Sequence, residues 1–155
     1  NDAMTISSGG IVTFKDDILI KDGGTIGVAS DADVITIAST GVTTFSKAVV
    51  GSTDTDTSNT GSVTLDFNTN QNFVLTFTGN VTLANPSTES VGQTGVIICI
   101  QDGTGSRTLS LGTDYETAGG AGITLSTAAS AVDVIPYVVK ASGSIQLGAP
   151  QLAFS

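Results

Sequence analysis

Histidine and tryptophan are absent from the 155 residues, cysteine and methionine occur once each, and basic residues number five. Each shortage removes a class of function. Without histidine the chain lacks the side chain that most often relays protons near neutral pH and the commonest metal ligand. The lone Cys99 can form no disulfide within the chain and has no histidine to activate it. It sits in the run Val96–Ile100, where a small buried hydrophobe is expected. The bases Lys15, Lys21, Lys47, Arg107 and Lys140 are dispersed, so no basic patch exists to neutralise phosphates, and nucleic acid is not an expected partner. That same five-residue run is the longest apolar stretch, far short of the roughly 20 residues of a membrane-spanning helix. Neither membrane insertion nor a signal segment is expected.

What is abundant points elsewhere. Nineteen glycines, many threonines and serines, and only 12% charged residues describe short strands joined by tight turns. The net charge of −9 divides as −5 before Gly61 and −4 after it, so neither half is a charged tail. Such acidity keeps an exposed assembly in solution. The chain opens at Asn1 and its one methionine is Met4, as expected of a processed or truncated polypeptide.

Thr5–Phe14, TISSGGIVTF, returns as TIASTGVTTF at Thr36–Phe45, a repeat with a 31-residue period. Each copy is a short apolar β pattern that cannot cover its own hydrophobic side, which suggests a rod or fibre. Strands are expected at Ile11–Phe14, Ile18–Ile20, Thr25–Val28, Val34–Ile37 and Val42–Phe45. A hairpin turn is expected at Lys21-Asp22-Gly23-Gly24, with corners at Ser30–Asp33 and Ser39–Gly41. About a dozen large apolar side chains cannot offset the entropy of ordering residues 1–50, so this segment is expected to be completed by identical chains, most simply as a homotrimer.

Gly51–Gly61, GSTDTDTSNTG, has no large apolar residue and reads as a linker. Beyond it, alternation at Val63, Leu65, Phe67, then Phe73, Leu75, Phe77, then Val81, Leu83 marks half-buried strands. Val96–Ile100 reads as a central strand, turned by Asp102–Gly105 into a hairpin with Arg107–Leu111. Val132–Val139 and Ile145–Leu147 complete the set, with Pro136 at an edge or bulge. Thr124–Ala131 fits a helical turn as an alternative. The expected fold is therefore all-β: a repetitive segment 1–50 forming an intertwined trimeric shaft or β-prism, a linker at 51–61, and an antiparallel β-sandwich or jelly roll over 62–155.

No chemical motif survives its own geometry. Asp54-Thr55-Asp56 opens like an EF-hand loop, but Asn59 stands where glycine and Leu65 where glutamate are required. A looser cation site on Asp54 and Asp56, or Asp31 and Asp33, competes with solvated turn acids. Asp114 and Glu116 flank Tyr115 as a glycosidase pair would, without the aromatic platforms sugars need. Gly103–Gly105 and Gly119–Gly122 lack the rest of any nucleotide fingerprint and read as turns. Asn80-Val81-Thr82 matches a glycosylation sequon by coincidence, since Val81 belongs to a strand. Arg107 is expected to pair with an acid or cap a turn. No catalytic, cofactor-binding or metal-binding residue is assigned, and no cofactor is expected.

The stretch DGGTIGVASDADVITIASTGVTTFS at Asp22–Ser46 resembles repeat units of tail-fibre and other virion proteins of marine bacteriophages. FVLTFTGNVTL at Phe73–Leu83, QDGTGSRTL at Gln101–Leu109 and AVDVI at Ala131–Ile135 resemble the terminal module of the same proteins. The resemblance implies a non-enzymatic, homotrimeric virion appendage, assembled in the host cytoplasm with other virion proteins, whose β shaft carries a terminal sandwich for host adhesion. A capsid decoration or head-fibre protein is the alternative within that class, and a carbohydrate-binding module or bacterial surface adhesin the alternative outside it. Contacts to a host glycan or receptor are expected on the loops Asn85–Thr94 or Thr113–Gly122.

Overall fold

The computed structural model describes residues 4–15 and 17–154; Asn1 lies outside them. The chain is all-β and divides into two compact units, Asn1–Val50 and Gly51–Ser155. No helix among the described residues is long and apolar enough to cross a membrane.

In the first unit, β1 (Met4–Ile6) and β2 (Val12–Phe14) pair antiparallel, and β3 (Gly24–Val28), β4 (Asp31–Ile37) and β5 (Thr43–Phe45) form a three-stranded sheet. The sequence repeat is a structural one. Met4 faces Phe14 and Ile6 faces Val12 in the first copy; Ile35 faces Phe45 and Ile37 faces Thr43 in the second. Both hairpins close with the same two bonds, Ser7 N to Ile11 O and Gly10 N to Ser7 O, then Ala38 N to Val42 O and Gly41 N to Ala38 O, each 2.9 Å. Both place a glycine in left-handed backbone, Gly10 at φ 77° and Gly41 at φ 82°, which other residues enter only with strain. The expected strand Ile18–Ile20 does not form. The turn at Lys21–Gly24 does, with Gly24 N bonded to Lys21 O, but it leads into β3, which pairs forward with β4 rather than back.

The second unit begins where a linker was expected. Thr53–Thr64 is a 12-residue strand, β6, built on threonines that alternate with acids. β-Branched residues favour extended backbone even where nothing is buried. β7 (Asn72–Ala84) lies parallel to β6. A straight strand from Ala84 back to Asn72 would span about 40 Å, yet the eight steps from Thr64 to Asn72 reach at most about 29 Å. The pair must therefore bend, and it does so at the register shifts around Asn59, where Gly61 takes φ 69°. The third layer is split: β8 (Thr94–Gln101) pairs parallel with the first half of β7, and β9 (Leu109–Leu111) with the second half.

β10 (Tyr115–Glu116), β11 (Val132–Ala141), β12 (Ser144–Leu147) and β13 (Gln151–Phe154) complete one curled eight-stranded sheet in the order β10-β12-β11-β8-β7-β6, with β13 beside β11. The expected antiparallel sandwich is corrected on two points. Four pairings are parallel, and β8 and β9 make no hairpin with each other. The Asp102–Gly105 turn is instead a local knot. Asp102 Oδ1 accepts from Thr104 N and Gly105 N, while Oδ2 holds Arg107 at 2.8 Å, sending the chain across to β7. Thr124–Ala131 contains a turn and no helix.

The core lies inside the curl. Phe73, Leu75, Phe77, Val81 and Leu83 point inward from β7 and meet Ile97, Cys99, Ile135, Tyr137, Val139 and Ile145. Phe67 packs on Phe73 and edge-on to Tyr137, with ring centroids 5.0 and 5.3 Å apart. Each such buried side chain contributes about 2 kcal/mol. Polar groups inside are bonded across layers: Gln101 exchanges two bonds with the Arg107 backbone, and Asn59 donates to Asp56 O and Thr76 O.

Candidate binding surface

The two loops singled out from sequence meet at one end of the second unit. Asn85 Nδ2 donates to Thr113 Oγ1 at 2.7 Å, and Asn85 Oδ1 accepts from Asp114 N at 3.1 Å. Gly112 sits against Asn85 so closely that a Cβ there would stand 2.2 Å from its side-chain oxygen. Further along, Glu89 Oε1 accepts from Gly143 N at 2.8 Å and so ties the Asn85–Thr94 loop to the β11–β12 turn. That bond holds the Glu89 carboxyl below its usual range.

Beside this junction opens a cleft of about 710 Å³. Its apolar wall is Leu109, Leu111, Tyr115 and Ile123; its polar lip is Ser110, Glu116, Thr117 and the glycine-rich bend Gly120–Gly122. Ala118–Gly120 makes one 3-10 turn, and Thr117 Oγ1 accepts from Gly122 N at 2.9 Å to close it. Gly119, Gly120 and Gly122 all have positive φ, so the bend takes backbone conformations that other residues enter only with strain, and Ala121 alone adds a methyl to it.

Glu116 accepts from Ser144 Oγ at 2.7 Å and from Lys140 Nζ at 3.1 Å, and these bonds lower its carboxyl from the ordinary value. A glycosidase acid needs the opposite displacement, so that it still carries a proton to donate at neutral pH. Tyr115 is 6% exposed; burial, then the neighbouring Glu89 and Asp114 carboxylates, raise its phenol. Its hydroxyl and Glu89 Oε2 are buried without a hydrogen-bond partner in the protein.

The other candidate residues are accounted for locally. Asp31 pairs with Lys47 at 3.0 Å across the first unit. Asp56 accepts from Ser58 N as a strand-edge turn, and Asp54 lies beside it on β6. Among the described residues no group of three or more Cys, Asp or Glu side chains is placed to hold a metal. Arg107 pairs with Asp102, whose carboxyl falls to about 2 chiefly through that bond. Cys99 is buried, and desolvation pushes its thiol up to about 12. Asn80 accepts from Thr108 N between layers, a structural duty its sequon did not reveal. The sequence reading did not single out Leu109, Leu111 and Ile123 as cleft residues, since their apolar character reads equally as core.

No curated protein and no solved structure matches the chain. Residues 57–144 match the family described as "Putative phage tail fibre C-terminal domain", a span running from within β6 to the start of β12. Since that span exceeds half of the sequence, the chain belongs to the phage tail fibre C-terminal domain family, and its role is that of a structural component of a virion's tail fibre.

Proposed function

We propose that this protein is a homotrimeric fibre component in which residues 1–50 intertwine into a β shaft and the second unit is a terminal module that adheres to the host surface. The observation that carries the proposal is the state of the first unit's apolar side chains. Leu19 is 93% exposed, Val50 89%, Ile11 68% and Ile6 64%, and Gly24 alone is buried among the unit's described residues. Such a segment gains almost nothing by ordering alone and a great deal by meeting copies of itself.

At the module, the cleft bordered by Leu109–Leu111 and Tyr115–Ile123 offers an apolar wall and a hydroxyl-rich lip, fitted to weak contact with a glycan or receptor. Three copies multiply such contacts through avidity. Assembly takes place in the host cytoplasm, alongside the other virion proteins. The test has two readouts on the purified full chain. Sedimentation is expected to give three times the chain mass, and the trimer is expected to slow adsorption of the parent phage to its host. A trimer that neither binds host cells nor competes with the phage would remove the adhesive half of the proposal; a monomer would remove the shaft.

A further inference from the structure

The sheet of the second unit has two apolar faces, and only one is used by its own core. Along β8 the inward residues Ile97 and Cys99 are buried, while Val96, Ile98 and Ile100 between them face the other way. On β11 the same alternation sets Ile135 and Val139 inside and Val132, Val134 and Val138 outside. Register brings these outward residues together: Val132 lies opposite Ile100, Val134 opposite Ile98, Pro136 opposite Val96. Val74 of β7 extends the row beside Ile98, and Phe154 of β13 extends it beside Val132. None of these side chains belongs to the core cluster or packs against it.

We propose that this outer face of β7, β8, β11 and β13 is where a second copy of the chain docks, so that the terminal module joins its neighbours directly rather than only through residues 1–50. The proposal rests on the homotrimeric reading above. Three observations select a copy of this chain as the occupant. The first is charge. A molecule of net charge −9 meets its like without repulsion only where carboxylates are missing, and the outward residues of this face carry none. The second is the contrast between two of the sheet's edge strands. β6 carries Asp54 and Asp56 and two register shifts, devices that keep an edge from pairing. β13, at the other side, carries no charge and leaves Leu152 51% and Phe154 48% exposed.

The third observation is shape. A shallow hollow of about 230 Å³ lies between Pro136, Val138, Gln146 and Gly148, whereas Phe154 stands at the Val132 end of the same strand. Projection and hollow are thus separated by at least four residues of β11, roughly 13 Å. A contact between different patches on two copies closes a ring when the rotation allows, as a trimer requires. The stretches that meet here, five residues of β7, eight of β8, seven of β11 and four of β13, make a patch on the order of 400 Å² in projection, within the range of the largest apolar patches that monomers leave exposed.

The test uses variants of the full chain with one added cysteine, Val138→Cys and Phe154→Cys, with Thr64→Cys on the exposed far half of β6 as control; native Cys99 is buried and common to all three. Maleimide labelling and sedimentation are measured on the same samples. In the assembled protein, labelling at positions 138 and 154 is expected to be at least about tenfold slower than at 64, as at the desolvated core of an interface. The protection should vanish on dilution to monomer. The pair Val134→Thr, which keeps the side-chain shape, and Ile98→Thr, which also removes one methyl, keeps β-branched residues in the strands and is expected to weaken assembly by about tenfold or more by placing two hydroxyls in the contact. Fast labelling at 138 and 154 in a protein that still sediments as a trimer overturns this docking face and leaves the trimer standing. Protection that persists in a monomer overturns it in favour of coverage by the chain's own first unit. A protein that is monomeric throughout, with fast labelling, overturns both.

Discussion

At the scale of single residues, Asp133 ties three parts of the second unit together. It is 1% exposed and accepts from Ser126 N and Ser126 Oγ at 2.7 Å and from Ala153 N at 2.9 Å, so one carboxylate fastens the Thr124–Ala131 loop and β13 to β11. Asp133→Ala leaves two backbone N–H groups unpaired, and the expected loss is about 3 to 5 kcal/mol, read as a lower urea midpoint at unchanged slope. Four carboxyls elsewhere make stability depend on pH. Asp66, Glu89, Asp102 and Glu116 are all held below their ordinary values, Asp102 at about 2 through Arg107. Their contribution is complete above the unfolded values of 3.8 and 4.5 and is lost as pH falls through the lower folded ones. The urea midpoint should therefore fall steadily from about pH 5 to about pH 2, and Asp102→Asn should flatten the most acidic part of that curve.

At the scale of elements, the two hairpins of the first unit make a matched pair of tests. Gly10→Ala and Gly41→Ala each force a Cβ into left-handed backbone with open space around it, so each should cost about 1 to 2 kcal/mol and, because the loops are alike, by the same amount. A marked inequality in the melting of the assembled protein would show that the copies carry different loads. The inward alternation Phe73, Leu75, Phe77, Val81, Leu83 was legible because every second residue of a half-buried strand must be apolar. The direction of its partners was not, because a parallel and an antiparallel neighbour ask for the same alternation. β6 was mistaken for a linker because it buries almost nothing, although the period-two pattern Thr53-Asp54-Thr55-Asp56-Thr57 carried the signal. The Asp102–Gly105 motif has the composition of a hairpin turn, and only the carboxylate bonds to Thr104, Gly105 and Arg107 reveal a redirecting knot. Of the candidate surface, the loops could be named from composition, but their joining through Asn85 depends on contacts 28 and 29 residues apart.

At the scale of the whole molecule, the units differ in how they are made stable. Among the described residues the second holds a core cluster of 17 buried apolar side chains, whereas the first buries none and leaves most of its isoleucines, valines and phenylalanines exposed, with Ile20, Val34, Ile35 and Ile37 half-buried. A fragment of residues 51–155 should therefore unfold cooperatively in urea, and a fragment of residues 1–50 at low concentration should show no transition in circular dichroism. Association of the full chain should also tighten with salt. Copies of net charge −9 repel one another, and raising ionic strength from about 0.01 M to about 0.15 M shortens the screening length from about 30 Å to about 8 Å. Sedimentation across that range at fixed concentration is expected to move toward the larger species; movement toward the smaller would mean that ion pairs, not apolar contacts, hold the assembly.

The agreement between the two hairpins extends from strand register to the hydrogen bonds of their loops, at an offset of 31 residues. A molecule written in this way can be lengthened or shortened by whole paragraphs of sequence without disturbing the grammar of what remains, whereas a single inserted letter within a strand reverses which side every later valine and isoleucine of that strand presents. If residues 1–50 form the shaft proposed above, its length among kindred molecules is expected to change in steps of one 31-residue module, like the graduations of a gauge.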